Sequence, residues 1–118
     1  VARKTDRMRV MTPVFMALRW EAVRGELRVS TTRAGRLRCG LCGRVFSSEK
    51  GLTRHAANVH PNEYRRAVRR ALVGLTLRFG GVPKSFVAAH APWLLRAREG
   101  EGAREEKDGR SRLLLFYN

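Results

Sequence analysis

Cys39-Gly40-Leu41-Cys42, then a gap of 12 residues, then His55-Ala56-Ala57-Asn58-Val59-His60: these 22 residues hold both cysteines of the chain and two of its three histidines. Thiolate and imidazole together suit tetrahedral zinc, and a two-residue gap lets both sulfurs face one ion. The Cys-x2-Cys-x12-His-x4-His spacing is a strong metal signal. It predicts a helix over 48–59 that projects His55 and His60 toward the metal from successive turns. Phe46 follows the second cysteine by four residues and Leu52 precedes the first histidine by three. With one Zn2+ on Cys39, Cys42, His55 and His60, these two would form the small core of a ββα unit. Four good ligands leave no open position for water, so the expected role is structural. Metal binding would then supply much of the folding energy of so small a unit. A redox Cys-x-x-Cys would need a βαβ context, which is absent. His90 lies beyond Pro83 and would make a fifth ligand, so it is expected to pack or to face solvent.

Residues 37–60 resemble the C2H2 zinc finger family. Phe46 and Leu52 match the family's apolar positions, and Leu37 stands where the family has an aromatic. The resemblance covers about a fifth of the chain. It implies that helix positions −1, 3 and 6, which contact successive bases in DNA-reading fingers, are Ser48, Gly51 and Arg54. Gly51 has no side chain and Ser48 is short, which leaves only Arg54 for a bidentate guanine contact. One finger reads about three base pairs, and Pro61-Asn62-Glu63-Tyr64 replaces the linker that joins tandem fingers in the family. A sequence-specific regulator is disfavoured on these grounds.

The chain of 118 residues carries a net charge of +15. Residues 1–98 hold +16 and residues 99–118 hold −1; of the 25 basic residues 21 are arginines. Charge of this size destabilises a lone compact domain, and a polyanion relieves it. The planar guanidinium suits bidentate phosphate contact better than an ammonium does. Arg36, Arg38, Arg44, Lys50 and Arg54 are therefore expected on backbone phosphates. A membrane surface is disfavoured, because no long basic helix carries an exposed apolar face. No apolar window is long enough for a transmembrane helix. The stretch 11–18 is too short for a secretory signal. The chain starts at Val1 rather than Met, as expected of a processed or truncated chain, which leaves room for a removed targeting segment.

Four segments are expected: a basic arm, helix and short strand over 1–36, the finger over 37–60, a helical basic segment over 61–98, and a polar linker with an apolar tail over 99–118. Thr12-Pro13 reads as a helix start, giving a helix over about 13–24 with Phe15, Leu18 and Val23 inward and Trp20 as an anchor. Leu27 and Val29 alternate with polar residues, suggesting a strand before the turn-like stretch 30–35. Tyr64, Val68, Leu72, Leu75 and Phe79 recur at helical spacing until Gly80-Gly81, although the end of this segment also alternates like a strand. Arg65, Arg66, Arg69 and Arg70 point away from that stripe and favour phosphate contact. Pro83 and Pro92 suit the starts of helices over 83–90 and 92–98. The apolar residues 113–117 must fold back or dock on a neighbour. The fold class is mainly α, small α+β, with one ββα finger between short helices and extended basic and apolar ends.

These features point to a non-catalytic RNA-binding component of a large ribonucleoprotein, with ribosomal RNA and neighbouring proteins as partners and neither a membrane nor a small-molecule substrate. Folded RNA is recognised largely by shape and offers unstacked bases, and phosphate contacts position a protein without specifying sequence. By resemblance of style, the chain looks like the accessory zinc-finger proteins of mitochondrial ribosomes, which implies a mitochondrial location. The alternatives are a ribosome assembly factor, a nuclear DNA-binding regulator, and an adaptor that uses Phe116 and Tyr117. An enzyme is least expected, because the ten acids form no convincing pair and no nucleophile has a base nearby.

Overall fold

A computed structural model describes the backbone of residues 4–100 and 114–118, with side chains for 9–96 and 114–118. In chain order it contains α1 (Lys4–Glu26), β1 (Ser30–Thr31), β2 (Leu37–Arg38), β3 (Val45–Phe46), α2 (Glu49–Val59), α3 (Pro61–Phe79), β4 (Val82–Pro83), α4 (Lys84–His90), α5 (Pro92–Gly100) and β5 (Phe116–Tyr117). This is the expected helix-rich small α+β class. No helix of the described residues is long and apolar enough to cross a membrane. The chain forms two units, one over Met16–Ala71 and one from the described residues of 1–15 and 72–118.

Two local expectations fail. Residues 4–11, the described part of an aperiodic arm expected over 1–11, are helical, and Pro13 lies inside α1 rather than at its first turn. An interior proline costs about 3 kcal/mol through a lost backbone bond and a clash with the preceding turn. Met11 and Phe15 flank it and are fully buried, and each such burial contributes about 1.5–3 kcal/mol, enough to offset the proline. The second failure is at 27–29, which end a helix instead of forming a strand. Arg28 N–H reaches Gly25 O at 3.2 Å and Val29 N–H reaches Arg24 O at 3.0 Å, with Arg28 at φ 52. That pair of bonds is a Schellman cap, a motif in which glycine usually takes the left-handed position. Gly25, which looks like the stop in the sequence, is still helical. β1 falls inside the expected turn, which tightens to Thr32–Gly35, with Gly35 N–H donating to Thr32 O at 2.9 Å.

In the unit 16–71, β1, β2 and β3 form an antiparallel sheet in that order, with Leu37 opposite Phe46. Its core joins Val23 and Leu27 from the α1 end, Cys39, Leu52 and Ala56 from the finger, and Ala67 from α3; Trp20, Leu37, Phe46 and Tyr64 pack against them. Leu37 is half-buried against this core.

In the other unit, Leu72 and Leu75 of α3 are buried, and the helix runs to Phe79 without turning into a strand. Gly80 N–H then closes on Thr76 O at 2.8 Å, with Gly80 at φ 80. The helices expected after Pro83 and Pro92 are present as α4 and α5. Phe15 meets Phe86 edge-on at 5.3 Å, and His90 lies against both rings at 4.8 and 4.5 Å, as expected of a packing histidine. The apolar tail folds back: β5 pairs in parallel with β4, Val82 N–H donates to Leu115 O at 2.8 Å, and Leu114 is buried. The polar linker expected over 99–112 lies outside the described residues from position 101 onward.

Gly81 makes this return possible. Its φ is +151, and a Cβ there would stand 3.0 Å from the Tyr117 ring and 3.2 Å from Leu115 O. Gly81→Ala should therefore cost about 1–3 kcal/mol through backbone strain and crowding. Urea unfolding reads the loss, and chymotryptic cleavage at Phe116 and Tyr117 should accelerate as the tail detaches.

Candidate metal centre

The cysteine loop is built by backbone bonds. Cys39 N–H donates to Arg44 O and Gly43 N–H to Cys39 O, both at 2.8 Å, and Gly43 adopts φ 81 to close the turn. Gly40 N–H donates to Leu27 O at 2.8 Å, which ties the loop to the end of α1. A Cβ on Gly40 would overlap the Arg28 carbonyl oxygen and stand 2.8 Å from Leu27 O. Only glycine admits so close an approach.

The histidines come from α2 and its end. Ser48 caps α2, its Oγ accepting from Gly51 N–H at 3.1 Å, and Glu49 adds negative charge to the first turn. His55 is on the helix, nearly buried, with its ring 4.7 Å from that of Phe46. His60 is not on a helical turn, as the sequence suggests, but at the C-cap. Its N–H bonds Ala56 O at 2.9 Å, and α3 starts at the next residue. Pro61 at that first position loses nothing, because the N–H there would have had no intrahelical partner.

These elements bring together the four expected ligands. The ligand atoms of Cys39, Cys42, His55 and His60 all lie within 4.8 Å of one another. Cys39 Sγ is 3.6 Å from His60 Nε2, and Cys42 Sγ is 3.3 Å from His55 Nε2. A tetrahedral ion about 2.3 Å from each sulfur and about 2.0 Å from each nitrogen requires S···N separations of about 3.5 Å, between the two observed. The thiols are not joined as a disulfide. The set can hold one metal ion in a C2H2-like arrangement. Burial first, then the charges of His60 and Arg44, hold His55 below the ordinary imidazole value of 6.5. The ring is thus neutral at pH 7 and keeps a lone pair for a metal.

Around this centre Arg36, Arg38, Arg44, Lys50 and Arg54 are all exposed, as are Arg65, Arg66 and Arg70, whereas Arg69 is half-buried. Arg38 reaches back toward Gly43 O at 3.4 Å. The α3 arginines have an acidic neighbour that their local sequence does not show. Glu26 of α1 accepts from Arg66 Nε at 2.9 Å and lies 3.7 Å from Arg70 Nη1, while Glu63 lies 3.5 Å from Arg66. Equally hidden in the sequence is the groove beside α2, where Met16, Arg19 and Trp20 of α1 face Lys50 and Arg54. Neither α1 contribution carries a local motif; both depend on where the helix docks. Comparison with family models, with curated proteins and with solved structures finds no match.

Cys42 is exposed and Cys39 buried, so Cys42→Ser removes a ligand with little change in packing. Its metal content, read by elemental analysis of the purified chain, should fall from one ion per chain to near none. A second expectation concerns acid. His55 binds a proton less readily when folded than when unfolded, so its contribution to stability is present above pH 6.5 and is lost as pH falls through its lowered folded value. The melting temperature of the chelated chain should drop on acidification from neutral pH to about pH 5, and the drop should shrink in His55→Asn.

Proposed function

We propose that this chain is a non-catalytic, RNA-binding structural component of a large ribonucleoprotein, with a mitochondrial ribosome as the assembly that fits best. The observation that carries the reading is the exposed arginine set on a scaffold pinned by a four-ligand site. Eight of the nine expected contact residues are exposed, and the charge on residues 1–98 is +16. Zinc is the metal that two thiolates and two imidazoles favour, and with four protein ligands it would brace the fold.

Poor base readout supports RNA over duplex DNA. Ser48 Oγ is engaged as a helix cap, Gly51 offers no side chain, and only Arg54 stands free to reach a base edge. Arg54 alone favours the second reading, a nuclear DNA-binding regulator. The tail does not add to the case for protein neighbours, because β5 is already paired with β4. Those neighbours, like the mitochondrial location, rest on the style of the chain: one finger, a large positive charge and no repeat.

Co-sedimentation with ribosomal particles in moderate salt tests the assembly; recovery only in the free pool would count against it. For the surface, changing Arg65, Arg66 and Arg70 together to Gln should weaken binding to structured RNA. It should also lower the slope of log K against log salt by about 0.7–0.9 per lost phosphate contact. An unchanged slope would move the contact surface off α3. Enrichment of one duplex DNA motif by more than about tenfold, each good base pair contact being worth about 1–3 kcal/mol, would favour the regulator.

A further inference from the structure

An open groove of about 500 Å³ runs beside α2, within the size range of small-ligand sites. Trp20 and Tyr64 are half-buried: each packs on the core of the finger unit, and each also lines the groove. Arg19, Lys50 and Arg54 stand along it, and Glu49 is the acid among its lining residues. Arg19 is oriented, with Nη1 3.3 Å from the Tyr64 hydroxyl and Nη2 3.0 Å from Met16 Sδ.

We propose that this groove is a single-stranded RNA site, in which an unstacked base lies against Trp20 and the flanking phosphates meet Arg19, Lys50 and Arg54. The proposal rests on the RNA-binding reading above and gives it a location and a strand state. Every base has a π-face, so an aromatic wall beside cations takes single strands with little sequence preference. A duplex keeps its bases stacked and cannot present one to the wall. Glu49 would repel phosphate but can accept from a base amino group or a 2′-hydroxyl. An apolar protein helix fits less well, because three cations line the groove; an acidic peptide is the competing occupant that the test must separate.

The chain has two tryptophans, so Trp93→Phe leaves Trp20 as the sole reporter without touching the groove. The metal-loaded full chain with this change is titrated with an unstructured RNA of about ten nucleotides, and in parallel with a duplex RNA. Saturable quenching of Trp20 emission by the single strand is expected, with little response to the duplex. Trp20→Leu should weaken single-strand binding roughly tenfold, within the range of one lost stacked base, and Trp20→Phe should restore most of it. Lys50→Glu with Arg54→Glu changes only exposed positions and should weaken the same binding, which decides the matter should Trp20→Leu not fold. Unmoved Trp20 emission and equal affinity in the groove variants, with the α3 arginine changes still weakening RNA binding, would overturn the groove and leave the RNA reading intact. Emission that answers to an acidic peptide but to no single-stranded RNA would also overturn it. Failure of the unmodified chain to bind any RNA would remove both.

Discussion

Two sulfurs and two imidazole nitrogens held within 4.8 Å of one another are the constraint on which the rest of this chain depends. Two adjacent thiolates repel unless a cation lies between them, and here one sulfur, that of Cys39, is buried in the core while that of Cys42 is exposed. The chain brings these groups together through the backbone hydrogen bonds of the Cys39–Arg44 turn and the Gly40–Leu27 tie, and through the Ser48 side-chain cap. Those bonds aim the four donors at one point, the arrangement a single shared ion needs.

The segment 37–60 is not left to its own few apolar residues. Val23 and Leu27 from α1 and Ala67 from α3 complete its core, so helices on either side share in its stability. The tie from Gly40 to Leu27 and the left-handed Arg28 belong to the same device. The helix must stop where the cysteine loop arrives, and the loop must be bare of side chain where the helix stops. The same docking brings Glu26 beneath the arginines of α3 and Trp20 beside α2. One placement of α1 thereby shapes the core, part of the charge pattern and the groove.

What could be read from the sequence follows from what is local. The metal ligands, α2, the Tyr64–Phe79 stripe and the starts of α4 and α5 were all legible, because spacing and proline position are properties of contiguous residues. The path of α1 through Pro13 was not, since it depends on burying Met11 and Phe15 in a tertiary environment. The end of α1 misled for a related reason: Gly25 carries the usual stop signal, yet Arg28 takes the left-handed position. His60 was expected on a turn of α2, but a four-residue gap after His55 carries it just past the helix. The pairing of Glu26 with Arg66 spans 40 positions, and no window along the chain would reveal it.

His60 is at once a member of the ligand set and the single residue between α2 and α3, with φ −124 and ψ 60. The backbone of this joint is held on both sides, by His60 N–H on Ala56 O and by Tyr64 N–H on His60 O, each at 2.9 Å. An ion on its imidazole would tie the same residue to the other three donors. The heading of the first turns of α3 and the shape of a coordination sphere would then be settled by one residue, so that a change in either would be felt in the other.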